Sequence, residues 1–184
     1  MKRILLLNAS AKNNGATEEI LSIIKKEICD SYIVDSFCLG DLNISYCKGC
    51  KSCYKTCKCT QNDDVDVLIS AMDSADIFVI CAPSYWGDVP GQFKVFIDRC
   101  TVYSNTNPNP NRPVLQSGKK CYGIALRTGL RAMECEHIIE CIHHWCGHME
   151  VEMADSLYFC GINSKEDITV EKGHIVEKCD EWFT

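Results

Sequence analysis

Two kinds of apolar pattern alternate along the chain. Strand-like runs occur at Arg3–Asn8, Tyr32–Phe37, Asp76–Ala82, Lys120–Leu126 and Glu150–Tyr158. The clearest of them, Ile77-Phe78-Val79-Ile80-Cys81, is apolar without a break. A short unbroken run of that kind predicts a strand buried on both faces. Between these runs apolar residues return every three or four positions. Ile20, Leu21, Ile23, Ile24 and Ile28 do so within Thr17–Cys29, and Phe93, Phe96 and Ile97 share one face of Pro90–Cys100. Further helices are predicted over Val65–Met72, Ala132–Trp145 and most of Ser164–Trp182, the last weakened by Gly173. Two stretches lack either period. Cys38–Asp63 is rich in Cys, Lys and Thr, and Asn105–Arg112 is an Asn/Pro loop and the clearest break in the chain.

Strands buried on both faces and separated by helices imply a parallel sheet covered on each side. Five such units predict an α/β, doubly wound, five-stranded parallel sheet in the flavodoxin-like order 2-1-3-4-5, with helices on both faces. With 184 residues and no internal repeat or linker, residues 1–184 are expected to form a single domain, with a cysteine-rich loop at about 45–62. No apolar run approaches the ~20 residues that span a bilayer. The apolar stretch after Met1-Lys2-Arg3 is too short for a signal peptide, so a cytoplasmic protein with no membrane partner is expected.

Charge and cysteine content narrow the function classes. A net charge of −6 argues against a nucleic-acid partner, because such a surface repels phosphates. Fifteen cysteines would suit a disulfide scaffold in a short secreted chain, but this chain is long and the number is odd. Reduced thiols are the better reading. Cys81 and Cys121, inside strand-like runs, are expected to act as small buried hydrophobes.

Candidate chemistry gathers in the loops that follow strands 1, 3 and 4. Asn8–Thr17 joins the first strand to the first helix, with hydroxyls at Ser10 and Thr17, amides at Asn13 and Asn14, and Gly15. A helix N-terminus next to the switch point of a doubly wound sheet suits a phosphate. The loop carries neither G-x-G-x-x-G nor G-x-x-x-x-G-K-[ST], and a polar N-capped turn would use the same residues. After the third strand, Tyr85 and Trp86 sit in a loop shaped by Pro83, Gly87, Pro90 and Gly91. Two aromatics there predict a flat ligand such as an isoalloxazine ring, or else a cap on the core or on a subunit contact.

These segments resemble the NADPH-dependent FMN reductase family of flavodoxin-like proteins. The resemblance is carried by Leu6-Leu7-Asn8-Ala9-Ser10 through Asn13-Asn14-Gly15-Ala16-Thr17, and by Ala82–Lys94 with Ile97-Asp98-Arg99. It covers roughly residues 2–160 and is strong up to about Cys100. It implies bound FMN, with Ser10, Lys12, Asn14, Gly15, Ala16 and Thr17 lining the phosphate, and Pro83, Ser84, Tyr85, Trp86 and Gly87 lining the ring. It departs from the family at Lys12, where Arg is frequent, and at Ala16, where a polar residue is frequent. Lys can neutralise a phosphate but lacks the guanidinium fork. After the fourth strand, Arg127-Thr128-Gly129 falls where that fold approaches the far edge of the ring. Arg127 there could favour a reduced, anionic flavin, or could be a surface residue ahead of a helix.

Five cysteines fall between Cys47 and Cys59. The C-x2-C-x2-C spacing of Cys47, Cys50 and Cys53 suits a loop wrapping an iron–sulfur cluster, with Cys57 or Cys59 as the fourth thiolate. The arrangement resembles the iron–sulfur flavoproteins, a branch of the same family, and that match favours Cys47, Cys50, Cys53 and Cys59. It also implies a cluster near the flavin of a neighbouring subunit, hence a homodimer or homotetramer. A [4Fe–4S] cluster, an empty loop, a structural zinc and a disulfide relay are all compatible with the residues. His137, His143, His144, His148 and His174 show no clean ligand spacing with carboxylates and read as structural or solvated. Asp98 and Arg99 could pair with one another's neighbours across a dimer, and neither is read as catalytic.

The expected function is an FMN-dependent oxidoreductase whose chemistry resides on the flavin, with no catalytic side chain. NAD(P)H or ferredoxin would supply electrons, and a quinone, flavin or other small molecule would accept them. The alternatives are a non-enzymatic flavodoxin-like electron carrier and a metal-binding interaction module.

Overall fold

The computed structural model describes residues 1–28 and 30–183. Five strands, β1 (Arg3–Asn8), β2 (Ile33–Cys38), β3 (Ile77–Pro83), β4 (Lys120–Leu126) and β5 (Glu152–Phe159), form one sheet in the order β2-β1-β3-β4-β5. Every pairing is parallel. The helices are α1 (Ala16–Ile28), α2 (Cys53–Thr56), α3 (Val65–Ser74), α4 (Gly91–Arg99), α5 (Ala132–Met149) and α6 (Ile168–Trp182). The doubly wound order is therefore the one expected. β1 and β4 match their predicted bounds, whereas Cys29, the expected end of the first helix, lies outside the described residues.

Successive side chains of a strand face opposite ways, and β1 and β3 divide accordingly between two cores. Leu5, Leu7, Phe78 and Ile80 pack with Met72 of α3, Phe93 and Phe96 of α4, and Trp145 of α5. Ile4, Leu6, Val79 and Cys81 pack with Ile20 and Ile24 of α1 and Ile175 of α6. The helices cover both faces, which is why the central strands are apolar throughout. β2 lies at an edge and is half exposed. Cys81 and Cys121 are fully buried among these residues, and burial raises both thiols far above their usual pKa. Among the described residues no helix is long and apolar enough to cross a membrane.

Tertiary contacts revise three expectations. Helix α5 runs through Gly147 to Met149 and stops at Glu150, which adopts a left-handed φ of 59°. The amide of Val151 then bonds Cys146 O at 2.9 Å, so β5 starts later than the sequence suggested. The predicted loop at Cys38–Asp63 contains the one-turn helix α2. Asn105–Arg112 is a brace as well as a break: Asn109 Nδ2 donates to Tyr54 O and Lys55 O, at 3.0 and 3.2 Å.

Candidate functional site

Three features meet at the carboxyl ends of the central strands. The first is the loop between β1 and α1. Asn8 shapes it: its Oδ1 accepts the Ser10 amide at 3.0 Å, while its Nδ2 donates to Lys12 O and Glu18 Oε2, both at 3.1 Å. Ser10 Oγ accepts the Lys12 amide at 3.1 Å. Ser10 and Thr17 are buried, Ala11–Asn14 are exposed, and Gly15 and Ala16 are half-buried. The Glu19 amide bonds Gly15 O, so the amides of the preceding turn point out of the end of α1. A Cβ on Gly15 would meet nothing within 4 Å, which leaves open space at that end. This is an anion cradle in form, with Lys12 as its exposed cation. Gly40 supports it from behind: a Cβ there would lie 2.5 Å from Ala11 O. Nothing in the hydrophobic pattern marks Gly40, because the contact spans unrelated segments.

The second feature is the loop after β3. The Tyr85 amide donates to Asp88 O at 2.9 Å and the Asp88 amide to Tyr85 O at 3.1 Å, closing a tight turn. Trp86 occupies it with φ 56° and Gly87 with φ 78°. Left-handed backbone costs a non-glycine residue about 1–2 kcal/mol. Trp86 accepts that cost while the residue is fully exposed, and Tyr85 is 40% exposed. Strain spent on presenting an aromatic face to solvent signals a ligand surface. We expect Trp86→Ala and Trp86→Gly to weaken FMN binding by roughly tenfold each, since stacking on an aromatic contributes ~1–3 kcal/mol. Trp86→Gly should be the more stable apoprotein of the two, by about 1 kcal/mol. Flavin titration and urea denaturation check both, and unchanged FMN affinity in either variant would remove Trp86 from the site.

The third feature follows β4. Arg127 does not behave as a surface residue: its side chain is only 14% exposed. Its Nη1 donates to Glu134 Oε1 at 2.8 Å and to Arg131 O at 2.9 Å, and Glu134 Oε2 accepts Ser84 Oγ at 3.0 Å. Arg127 Nε is buried with no partner. The guanidinium lies so close over Gly129 that a Cβ there would sit 2.3 Å from Nη2. Ser84, Trp86, Gly87, Arg127, Thr128 and Glu134 line one open cavity of ≈ 310 Å³. Sequence reasoning missed Glu134, which ties the two loops together and offsets part of the Arg127 charge.

The cysteine loop lies apart from these. Cys47, Cys50, Cys53 and Cys59 line one cavity of ≈ 210 Å³, and Cys57 is not among its walls. The cavity is reached by backbone bends at Gly49, Lys51 and Cys57, all with φ near 60°. The Ser52 amide and the Thr60 hydroxyl hold the Cys50 thiol below its usual pKa. Burial, then the neighbouring Cys59, Cys47 and Cys50, push Cys53 up. The Gln61 amide approaches Cys59 Sγ at 3.5 Å. Amides and hydroxyls aimed at sulfur suit thiolates that carry metal.

Arg99 closes the loop at its base and, being buried, finds its partners within its own chain. Its Nη1 donates to Asp63 Oδ2 at 2.6 Å and to Ser45 O at 2.9 Å. Asp63 Oδ2 also accepts the Ser45 amide at 3.0 Å. Asp98 pairs instead with Lys94 one turn earlier, at 2.5 Å. The cysteines described by the structure are all free.

Known proteins resemble the chain in family and in fold. A family model described as NADPH-dependent FMN reductase matches residues 2–135. An iron–sulfur flavoprotein of Clostridioides difficile (strain 630) is 38% identical over 100 residues, which is 52% of this chain and 44% of that one. An iron–sulfur flavoprotein of Methanosarcina thermophila is 30% identical over 140 residues, 74% of this chain and 69% of that one. The chain spans about half the length of most of the curated relatives it matches. An FMN-dependent NADH-azoreductase from Bacillus anthracis, solved with FMN, superposes over 100% of both chains with a TM-score of 0.71. At 15% identity that likeness concerns the fold.

Proposed function

The chain belongs to the NADPH-dependent FMN reductase family, and from that premise we propose that it is an FMN-dependent oxidoreductase carrying a [4Fe–4S] cluster on its cysteine loop. FMN, when bound, accepts electrons in pairs and releases them singly or in pairs, and a cluster passes them singly. Everything else is the chain's work. The amides at the start of α1, with Ser10, Lys12, Asn14, Gly15, Ala16 and Thr17, hold the phosphate. Tyr85 and Trp86 offer faces to the ring, and Pro83, Ser84 and Gly87 shape its pocket. Arg127, steadied by Glu134 and by its fit over Gly129, places a donor and partial positive charge at the far edge beside Thr128. The unpartnered Nε of Arg127 fits a polar edge.

The observation that carries the cluster reading is that Cys47, Cys50, Cys53 and Cys59, without Cys57, line one cavity. A zinc ion held by four thiolates would use the same donors, so the metal must be identified directly. NAD(P)H or ferredoxin is the electron source in this reading, and a quinone, flavin or other small molecule accepts. Trp86, Leu130 and Met133 stand exposed on the segments that flank the ring site. They suit a second copy closing over it in a homodimer or homotetramer. The free thiols of the described cysteines suit a reducing cytoplasm.

The test is an anaerobic preparation assayed for flavin absorption, iron, sulfide and NAD(P)H oxidation. We expect bound FMN, about four irons per chain, retention of iron in Cys57→Ser and its loss in Cys50→Ser. Zinc, or no metal, would end the cluster reading. Bound FMN without NAD(P)H turnover would mark an electron carrier. No FMN binding even after its addition would overturn the central proposal.

A further inference from the structure

Helix α5 sets His137 and Cys141 one turn apart on one face, where side chains at i and i+4 meet. His137 Nε2 lies 3.7 Å from Cys141 Sγ and 3.5 Å from Asp88 Oδ1, which reaches across from the loop after β3. The three ligand atoms all fall within 4.8 Å of one another. Hydrogen bonding accounts for only part of this grouping: 3.7 Å is an ordinary length for a thiol–imidazole bond, but 3.5 Å is long for an imidazole–carboxylate one. A good N–H···O bond is about 2.9 Å long, and one imidazole nitrogen cannot serve both neighbours well. The spacing fits a shared ion better: ligand atoms ~2.0–2.3 Å from a tetrahedral metal are roughly 3.3–3.8 Å apart. Closing the trio around one centre needs shifts of side chains that are partly exposed, His137 at 48% and Asp88 at 64%. The trio lines a groove of ≈ 660 Å³ between α4 and α5, so an ion could enter from solvent.

We propose that Asp88, His137 and Cys141 form a site for an exchangeable divalent ion of the zinc class, which staples the ring-bearing loop to α5. One carboxylate, one imidazole and one thiolate are too soft a set for magnesium or calcium and match zinc or a late first-row neighbour. Three protein ligands leave a fourth position for water facing the groove. The Tyr85 and Asp88 backbones bond each other in both directions, so an ion held on Asp88 also holds the turn that displays Trp86. The site is separate from the cysteine loop and does not require it.

Cobalt(II) tests the proposal, because a tetrahedral site with a thiolate shows charge-transfer absorption in the near ultraviolet. The reduced full chain is titrated beside a variant with Cys47, Cys50, Cys53 and Cys59 all changed to Ser, which removes the four thiols of the cysteine cavity. We expect the variant to keep one cobalt with a single-thiolate signature. Partners that merely orient a metal's ligands contribute ~10–100-fold in affinity, so losing a ligand by Cys141→Ser or His137→Gln should weaken binding ~100-fold or more. His174→Gln should change nothing. Should the fourfold variant fail to fold, Cys141→Ser and His137→Gln in the unmodified chain should each remove one equivalent from the total cobalt bound. Cobalt stoichiometry and absorption that ignore both substitutions would overturn the site.

Discussion

Arg99→Leu is expected to cost about 3–5 kcal/mol of unfolding free energy at neutral pH, the usual penalty for leaving one charge of a buried pair uncompensated. Arg99 and Asp63 side chains are only 2% and 5% exposed, so little water reaches either. The effect should be conditional on Asp63: Arg99→Leu combined with Asp63→Leu should recover much of the loss, because no charge then remains buried. Acid should have the same sense. Burial opposes the Asp63 charge, but Arg99 and the Ser45 and Val65 amides outweigh it and hold the carboxyl below its usual range. A carboxyl lowered in the folded state stabilises fully above its unfolded value of ~4. That stabilisation disappears as pH falls through the folded value. The stability gap between wild type and Arg99→Leu should therefore narrow below about pH 4–5. Because Asp63 and Ser45 flank the cysteines, iron content should fall along with stability. Urea denaturation across pH decides, and a loss under ~1 kcal/mol at neutral pH would show that the pair does not clamp the loop.

Gly40→Ala is expected to disturb a ligand it does not touch. A Cβ at 2.5 Å from Ala11 O and 2.8 Å from Ala11 C meets backbone, which cannot swing aside as a side-chain tip does. Either the turn at Leu39–Asp41 or the loop after β1 must move, at a cost of about 1–3 kcal/mol. Displacing Ala11 shifts Lys12 and the neighbouring amides, so FMN affinity should fall roughly tenfold or more, a change of ~1.4 kcal/mol. Gly15→Ala is the contrast. Its Cβ would enter open space, so the apoprotein should keep its stability. FMN fluorescence quenching reads the affinities. Wild-type affinity in Gly40→Ala would show that the phosphate loop tolerates the shift, or that FMN does not bind there.

Much of the scaffold was legible because it rests on local pattern. Each buried strand advertises itself by an apolar run, and each amphipathic helix by its period, so β1 and β4 were read to the residue. The ends of elements were less legible. Gly147 favours a stop, yet α5 continues because Trp145, Cys146 and Met149 are buried against the sheet. That burial outweighs the ~1 kcal/mol that glycine costs a helix.

The cysteine spacing and the loops after strands 1, 3 and 4 were visible for the same reason: each is a short contiguous segment. Whatever depends on two distant segments was not visible. Arg99 meets Asp63 from 36 positions away and Glu134 meets Ser84 from 50. Gly40 supports Ala11, and Asp88 faces His137 and Cys141, only because the parallel βα crossovers bring the loops after β1, β2 and β3 to one end of the sheet and pack α5 beside the last of them. The sequence by itself therefore determined the parallel sheet, its order and the contiguous segments that are candidates for chemistry. The tertiary structure decided which of four or five thiols share a cavity, which charges are buried together and which histidine faces a carboxylate. Local periodicity follows from backbone geometry, whereas a pairing between distant side chains exists only once the chain has closed around its core.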